Sequence, residues 1–369
     1  MDSDLMKYRI AFASIRGIGI ELAQKILEVI PSEKDYFDMP EKELRKLLGV
    51  RTKIADTAYR KSLLEMAAAE VRVLETSSIK ATYFSDNGYP ERLLNVCDAP
   101  LMLYSVGDCN WNCAHTIAVV GTRHATYYGQ EFCENLISDL SQKLGDFVIV
   151  SGLAYGIDIA AHRACLKHNV PTIAVVAHGL NTIYPPMHRP DAQKIVKNGC
   201  ILSDYTTQEK MHKGNFVARN RIVAGMCDCT IVVESAIKGG ALITASLANS
   251  YNRDVFALPG KASDEFSKGC NKLIRNNEAA LITCADDLIA AMQWTPRVQP
   301  AATQLELFPD LTAEEQAVYD VMKKLSEAHV NTIAQAANMP IYRLLACLVS
   351  LEFKGLVRSI PGSRYVPAK

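Results

Sequence analysis

Net charge is absent from this sequence of 369 residues, in which 40 lysines and arginines balance 40 aspartates and glutamates. No global field draws such a chain to a polyanion, so any such binding must depend on a local basic site. No apolar run approaches the ~18 residues of a membrane-spanning helix, and the N-terminus, Met1–Asp4, is too acidic and polar for a signal peptide. We expect a cytoplasmic protein without membrane contact.

Catalytic and metal-binding motifs are also scarce. The 11 cysteines include no Cys-x-x-Cys pair, and an odd, scattered set predicts reduced thiols rather than disulfides. The closest pair, Cys227 and Cys229, suits core packing better than metal. His162 follows Asp158 by four residues, which favours a hydrogen bond on a helix surface. We therefore predict no catalytic centre, no metal site and no cofactor.

Four regions differ in their sequence pattern. Residues 1–75 are typical of short helices broken by Gly and Pro, whereas residues 80–292 alternate short β-rich runs with helical stretches. Residues 293–311 contain three prolines and few charges, which indicates an exposed linker. Residues 312–369 have the regular pattern of a small terminal domain.

The middle region predicts an α/β fold, a Rossmann-like doubly wound sheet that is mainly parallel. Its apolar runs are continuous, as in strands covered on both faces. Ligands of such sheets bind at the C-terminal strand ends. The predicted strands are Thr116–Gly121, Phe147–Ser151, Thr172–Ala177, Cys200–Ser203, Thr230–Glu234, Asp254–Leu258 and Ala280–Ile282. Predicted helices between them include Tyr128–Leu144, Ile157–His168, Phe216–Met226 and Ala241–Tyr251.

The usual nucleotide fingerprints are missing from these loops. The first strand is followed by Gly121-Thr122-Arg123, where a dinucleotide site would have G-x-G-x-x-G. The second strand ends without the acid that holds a ribose diol. No G-x-x-x-x-G-K-[ST] motif occurs, so neither a nicotinamide site nor a P-loop is favoured.

The loops are instead rich in glycine, hydroxyl groups and cations. Helix N-termini and glycine turns offer N–H groups to phosphates, and the run from Lys213 to Arg221 adds three cations without an acid. Several such sites along one sheet edge suit a polyanion, and Phe216 is placed to stack on a base. The candidate binding residues are Gly121, Thr122, Arg123, Gly152, Lys213, Asn215, Phe216, Arg219, Asn220, Arg221, Lys238, Gly239, Gly240 and Thr244.

Several of these residues also have an ordinary structural interpretation. Gly152 can simply serve a tight turn, and Arg123 can be a solvated surface charge. Arg219 and Arg221 lie two apart on a predicted helix, so both cannot face one ligand, and one is expected to be structural. Phe216 can dock its helix on the sheet.

Five segments, taken in order, resemble the DNA-processing protein A family (DprA, also called Smf). The resemblance covers residues 80–292, and the combination is far more specific than any single segment. The matching segments are Val119–Gly129, Val150–His162, Gly179–Pro186, Phe216–Ile222 and Lys238–Ala245.

The resemblance implies an extended Rossmann domain and a dimeric, non-catalytic protein that binds single-stranded DNA. Members of the family protect incoming strands during natural transformation and load the RecA recombinase onto them. The family's glycine–hydroxyl–arginine motif falls on Gly121-Thr122-Arg123, with Thr122 in place of the usual Ser. Its pocket lysine falls on Lys213 and its base-contacting aromatic on Phe216. His178 stands where the family commonly has Cys.

An enzyme on a similar scaffold, a nucleotide hydrolase or phosphoribohydrolase, is the alternative function. Its Pro-Gly-Gly-x-Gly-Thr…Glu loop would belong near Lys238-Gly239-Gly240. The proline, the third glycine and the glutamate are missing there.

The N-terminal region resembles a helix-hairpin-helix, or SAM-like, domain. Apolar residues recur at helical spacing on both sides of Gly17-Ile18-Gly19. Such a turn can offer the amides of Gly17 and Gly19 to a DNA phosphate as secondary contacts. The alternative is a plain αα-hairpin that needs glycine to stop its first helix.

The C-terminal region suggests a winged helix. Thr312 and Glu315 predict a capping box for a helix over 313–326, followed by helices over 331–337 and 340–354 and a hairpin wing with a turn at Pro361. A winged helix usually contacts duplex DNA. The third helix is thinly charged, so a protein-contact role stays open.

Overall fold

The structure is a computed structural model that describes residues 3–49, 53–297, 311–325, 327–360 and 362–367. The chain divides into two compact units, Met1–Arg297 and Val298–Lys369, which are treated separately below. Residues 298–310 of the predicted linker and Pro361 of the predicted wing turn lie outside the described residues.

The first unit is built on a nine-stranded sheet with the order β1-β2-β6-β5-β4-β3-β7-β8-β9. The strands from β6 to β9 in this order run parallel, whereas β2 runs antiparallel to both β6 and β1. The predicted mainly parallel, doubly wound sheet is confirmed. The strands are β1 Lys80–Tyr83, β2 Met102–Gly107, β3 His115–Val120, β4 Phe147–Ser151, β5 Thr172–Val175, β6 Gly199–Ser203, β7 Cys229–Val232, β8 Asp254–Ala257 and β9 Ala280–Leu281.

Strand order reverses beside β3. The chain first builds β4, β5 and β6 on one side of β3 and then returns to place β7, β8 and β9 on the other side. The loops that leave β3 and β7 therefore diverge at a topological switch point, where ligands of open α/β sheets bind. The antiparallel strands β1 and β2, which the sequence analysis did not predict, extend the sheet beyond β6.

Helices cover both faces of the sheet and pack against continuous apolar strands such as β3 and β4. The four helices predicted between strands are present as α7, α8, α10 and α11. The helices are α6 Glu91–Leu94, α7 Tyr127–Lys143, α8 Ile157–Lys167, α9 Arg189–Ile195, α10 Lys213–Gly225, α11 Gly240–Ser250, α12 Lys268–Arg275 and α13 Ala285–Ala291.

Helix α10 begins three residues before the predicted start. The ring of His212 accepts a 3.1 Å hydrogen bond from the Gly214 N–H and so caps the helix. Side-chain acceptors at this position satisfy amides that the first turn leaves unpaired. Lys213 consequently lies in the first turn, three residues before Phe216.

The N-terminal helices share one apolar core with a face of the sheet. The buried Arg60 guanidinium donates to the carbonyls of Tyr36, Phe37 and Met39, where a short helix ends. The N-terminal helices thus pack on the sheet within one compact unit, and the domain boundary between residues 75 and 80 stays a prediction from the sequence. The helices are α1 Ser3–Ala13, α2 Ile20–Val29, α3 Glu33–Asp38, α4 Glu41–Leu48 and α5 Thr57–Thr76.

The second unit has the predicted winged-helix order of three helices and a β-hairpin. The predicted capping box is confirmed, because Thr312 N–H donates to Glu315 and the Glu315 N–H donates to the Thr312 hydroxyl. The elements are α14 Ala313–Leu325, β10 Ala328–His329, α15 Val330–Ala336, α16 Ile341–Phe353, β11 Val357–Ile360 and β12 Arg364–Pro367.

Candidate nucleic-acid interface

The loop after β3 is held from two sides. The Thr122 N–H donates a 2.7 Å hydrogen bond to the carbonyl of Glu234, just beyond β7, and the Thr122 carbonyl accepts 3.1 Å from the N–H of Ile157 in α8. Gly121 has to be glycine, because a Cβ there would lie 2.5 Å from Ile157 Cγ1. These contacts fix the backbone and leave the Arg123 side chain exposed to solvent.

The loop after β4 interlocks with the loop after β3. Gly156 has φ +77°, and a Cβ on it would lie 2.1 Å from the Thr122 carbonyl oxygen. Gly152 is buried, and a Cβ on it would meet both Arg219 and Asp158 at 2.5 Å. The structure thus gives Gly152 a close-packing role of the kind that its ordinary interpretation requires.

Arg219 is an internal residue of this edge of the sheet. It is 5% exposed, and its Nη1 donates to the carbonyls of Gly152 and Val175, which ties β4 to β5. Burial raises the pKa of the neighbouring Asp158 carboxyl, and the charge of Arg219 opposes that shift. Burial likewise lowers the pKa of Arg219 itself. Its guanidinium is therefore committed to the protein.

Arg221 and Asn215 are also engaged within the protein. Arg221 pairs with Asp204 and donates to the Asp98 carbonyl, on a different cleft from Arg123. Asn215 is 2% exposed, and its Nδ2 donates 3.3 Å to the Ala177 carbonyl. The sequence analysis expected one structural arginine in this helix, whereas the structure gives internal partners to both.

Exposed Arg123 and half-buried Phe216 form the centre of the site. The Arg123 Cζ lies 5.6 Å from the centroid of the Phe216 ring, within the range of a cation–π contact. The ring of Tyr184 meets Phe216 edge-on at 5.7 Å between centroids. The half-buried Asn220 accepts a 3.2 Å hydrogen bond from Arg219 Nε, which orients its amide. A cation and an aromatic ring are thus presented together.

A cleft of about 370 Å³ opens at the switch point between β3 and β7, and we call it the main cleft. It brings together nine of the candidate residues, while exposed Lys213 and Lys238 flank it in the chain. Helix α11 begins at Gly240 without a side-chain cap, and such an N-terminus favours an anion. The candidates that line it are Gly121, Thr122, Arg123, Phe216, Arg219, Asn220, Gly239, Gly240 and Thr244.

Two ring-bearing residues of the main cleft were missed in the sequence analysis. His124 follows Arg123 directly, and its ring stacks on Phe266 at 5.9 Å between centroids. Phe266 comes from the loop after β8, 142 residues later in the chain. No local sequence signal connects it to the loop after β3.

Two acids near the main cleft have structural partners. Glu234 accepts hydrogen bonds from the N–H and the hydroxyl of Thr126 at 2.9 and 2.6 Å, at the start of α7. The second acid, Asp158, accepts a 3.4 Å hydrogen bond from the Ala154 N–H.

The predicted surface pairing of His162 with Asp158 is wrong, because His162 is buried and bonds the Thr172 hydroxyl at 2.8 Å. Among the residues with described placement, no cluster of His, Cys, Asp or Glu side chains could hold a metal ion.

Ile18 and Gly19 of the predicted turn line a second cleft of about 310 Å³, together with Asp98 and the Asp204–Arg221 ion pair. Carboxylates beside the turn disfavour a phosphate there. Gly17 has φ +87°, a conformation in which glycine ends a helical segment without strain. These observations favour the plain αα-hairpin alternative for this turn.

The third helix of the winged helix, α16, offers few cations. Lys354 binds the Glu315 carboxylate at 2.8 and 2.9 Å, and Ser350 and Lys354 together lower the Glu315 pKa to about 2. The exposed face of α16 is apolar instead, which favours the alternative that this helix contacts a protein. The exposed apolar residues are Ile341, Tyr342, Leu345, Val349 and Phe353.

Both units have matches among known protein families. Residues 80–293 match the family model described as DNA recombination-mediator protein A, and residues 299–363 match the DprA winged helix domain. Protein Smf of Synechocystis sp. is 31% identical over 97% of this chain and 98% of its own length. DNA processing protein DprA of Streptococcus pneumoniae is 40% identical over 57% of this chain and 73% of its own length.

Two solved structures resemble the first unit's architecture. The X-ray structure of DNA processing protein A from Streptococcus pneumoniae covers 78% of this chain and 94% of its own, with TM-score 0.63 and 32% identity. The Helicobacter pylori protein covers 58% of this chain and 96% of its own, with TM-score 0.52 and 31% identity. The latter structure is described as giving insight into a single-stranded DNA binding mode. Across the described ranges, no helix is long and apolar enough to span a bilayer.

Proposed function

Because the chain belongs to the DNA recombination-mediator protein A family, we propose that it binds single-stranded DNA in the main cleft. In this proposal it works in the cytoplasm, protects strands taken up during natural transformation and loads the RecA recombinase onto them. The observation that carries the DNA-binding role is the pairing of exposed Arg123 with half-buried Phe216 at the topological switch point.

The geometry suits an unpaired strand. A guanidinium and the uncapped start of α11 attract the phosphate chain, while an aromatic ring beside them accepts the face of a base. Every base has such a face, so the contact carries little sequence information. In a duplex the base faces are stacked on one another, and the Phe216 ring has nothing to bind.

The residues have separate roles in this proposal. Arg123 and the exposed Lys213 and Lys238 supply positive charge to phosphates. Gly121 and Gly239 allow the backbone to come close, because their neighbours leave no room for a Cβ. Thr122, Asn220 and Thr244 add polar groups to the wall of the cleft.

We further propose that the protein works as a homodimer. A groove beside α11 has an apolar part formed by Ile237, Leu242, Ile243, Leu247 and Leu273 and a polar rim that includes Lys238, Lys272 and Glu278, and exposed apolar surface of this kind marks protein contacts. Sedimentation of the full chain should give a dimer, which Ile237→Glu weakens. Val29→Glu, a similarly exposed aliphatic residue on α2, serves as the control. A wild-type monomer at micromolar concentration would contradict this part.

The phosphoribohydrolase alternative needs a carboxylate that faces a nucleotide. Asp158 lines the main cleft and Glu234 bonds the start of α7 beside it, but both acids are buried and each has partners in the protein. Release of base from nucleoside monophosphates, abolished by Asp158→Asn, would revive the enzyme.

The test is a titration of labelled single- and double-stranded oligonucleotides at two salt concentrations, with wild type and Arg123→Ala. We expect a preference for the single strand, weaker binding by the variant and a salt slope lower by about one unit. Equal affinities for both forms, or an unchanged slope in the variant, would reject the proposed site. RecA loading is tested separately, by the rate of RecA filament formation on strands coated with single-strand binding protein.

A further inference from the structure

Aromatic rings continue on both sides of the Arg123–Phe216 pair. On one side the exposed Tyr184 meets Phe216 edge-on. On the other side, at the far wall of the main cleft, His124 and Phe266 stack on each other. Arg123 borders both groups, because it lines the main cleft and also a narrower cleft formed by Tyr184 and Tyr155. The rings therefore form a row with a cation in the middle.

The row crosses the sheet rather than following one strand. Tyr184 comes from the loop after β5, His124 from the loop after β3 and Phe266 from the loop after β8. In the sheet these strands belong to the sequence of neighbours β5-β4-β3-β7-β8, so three strands lie between β5 and β8. The rings make contact across these strands, with 5.7 Å between the centroids of Tyr184 and Phe216 and 5.9 Å between those of His124 and Phe266.

Each end of the row has a ring that solvent can reach. Tyr184 is 40% exposed, and Phe266 is half-buried with His124 beside it. Neither ring packs into the apolar cores of the unit. Isolated exposed rings are ordinary on protein surfaces. Here they instead line one continuous edge with glycine turns and a cation.

We propose that Tyr184 and the His124–Phe266 pair are two additional base-stacking sites that flank Phe216, so that an unpaired strand runs across the C-terminal edge of the sheet from β5 to β8. This inference rests on the proposed single-strand function and adds its path and its length. The ligand class is a run of unpaired nucleobases, held by their faces. Arg123, near the middle, contacts the phosphate chain between the two ends.

The three stacking positions predict a minimum length of strand. A strand that reaches Tyr184, Phe216 and the His124–Phe266 pair must present at least three bases, one to each position. Affinity should therefore rise with oligonucleotide length until the strand spans the row, and it should change little beyond that length.

The experiment measures oligo-dT affinity from three to twelve nucleotides for wild type, Tyr184→Ala and Phe266→Ala, using the full chain. Matched controls are Tyr342→Ala and Phe353→Ala, which remove exposed rings from the second unit (70% and 90% exposed). We expect each site variant to bind strands long enough to span the row at least ~5-fold more weakly. Each should also lose part of the length dependence, whereas the controls should match wild type.

A second measurement separates stacking from misfolding. Oligonucleotides with one abasic position are scanned against wild type and each variant. If Phe266 stacks on a base, one abasic position should weaken wild type but leave Phe266→Ala nearly unchanged, which is the coupling of a double-mutant cycle. Additive losses at every position would overturn the inference.

The two proposals fail in different ways. If wild type shows no single-strand preference and Arg123→Ala has no effect, the main function is wrong. If Arg123→Ala weakens binding while Tyr184→Ala and Phe266→Ala bind every length like wild type, only the extended row is wrong.

Discussion

Arg219 donates a 2.8 Å hydrogen bond from Nη1 to the carbonyl oxygen of Gly152, 67 residues earlier in the chain. The same nitrogen also reaches the Val175 carbonyl. This one side chain therefore joins the ends of β4 and β5 at the main cleft, which exposed Arg123 and half-buried Phe216 also line. Two arginines of the same region thus have opposite roles, one internal and one at the surface.

Replacing Arg219 should mainly cost stability. Arg219→Met would leave two carbonyls without a partner and the buried Asp158 without its nearby positive charge, which should lower the free energy of unfolding by about 3 kcal/mol. Urea unfolding measures the loss. Arg123→Ala, the exposed counterpart, should stay within about 0.5 kcal/mol of wild type. A fully stable Arg219→Met protein that no longer binds DNA would show that Arg219 contacts the ligand.

Gly156 should tolerate no side chain. Its φ of +77° and the 2.1 Å approach of an added Cβ to the Thr122 carbonyl predict that Gly156→Ala loses about 2 kcal/mol or more of unfolding free energy. Gly145→Ala is the control, because that position is open and has ordinary φ. Thermal unfolding of both variants checks the difference. Equal melting temperatures would mean that the two loops do not interlock.

Phe216 should contribute to DNA affinity without changing the salt dependence. Phe216→Ala removes a stacking surface and no charge, so binding should weaken about 5-fold or more at every salt concentration, with an unchanged slope. Lys213→Gln should instead reduce the slope, and Lys25→Gln, an exposed lysine on α2, should change neither quantity. A slope altered by Phe216→Ala would indicate that the ring positions Arg123 rather than stacking on a base.

Glu315 should make the second unit sensitive to acid. Its folded pKa is about 2, against 4.5 for the unconstrained group, so its contribution to stability is complete above pH 4.5. That contribution declines as the pH falls toward 2. Glu315→Gln should be less stable than wild type at pH 7, and the difference should shrink between pH 5 and 2. Calorimetry of the full chain at several pH values tests this, and a constant difference would contradict it.

Local sequence patterns predicted much of the fold. Continuous apolar runs marked the parallel strands from β3 to β9, and Thr312 with Glu315 marked the start of α14. The spacing of apolar residues within one segment is a local property, so it indicates a strand or helix even when the segments that pack against it are unknown. The antiparallel strands β1 and β2 were missed, and the start of α10 was placed three residues late because the ring of His212 acts as its cap.

The candidate site was predicted less evenly. The family resemblance is confirmed, and the glycine and arginine of the loop after β3 lie in the main cleft. The spacing of Arg219 and Arg221 indicated that one of them is structural, but it could not show that both have internal partners. Phe266 was missed because its place beside His124 depends on pairing between distant strands.

The sequence by itself determined the order of the parallel strands and of the helices between them, the turns that require glycine and the family to which the chain belongs. These depend on neighbouring residues and on hydrophobic period. Only the tertiary structure decided which charges are exposed and which rings share an edge of the sheet. Burial and pairing arise when segments far apart in the chain meet. Arg123 and Arg219 have the same side chain, but Arg123 reaches solvent whereas Arg219 is buried and joins the ends of β4 and β5.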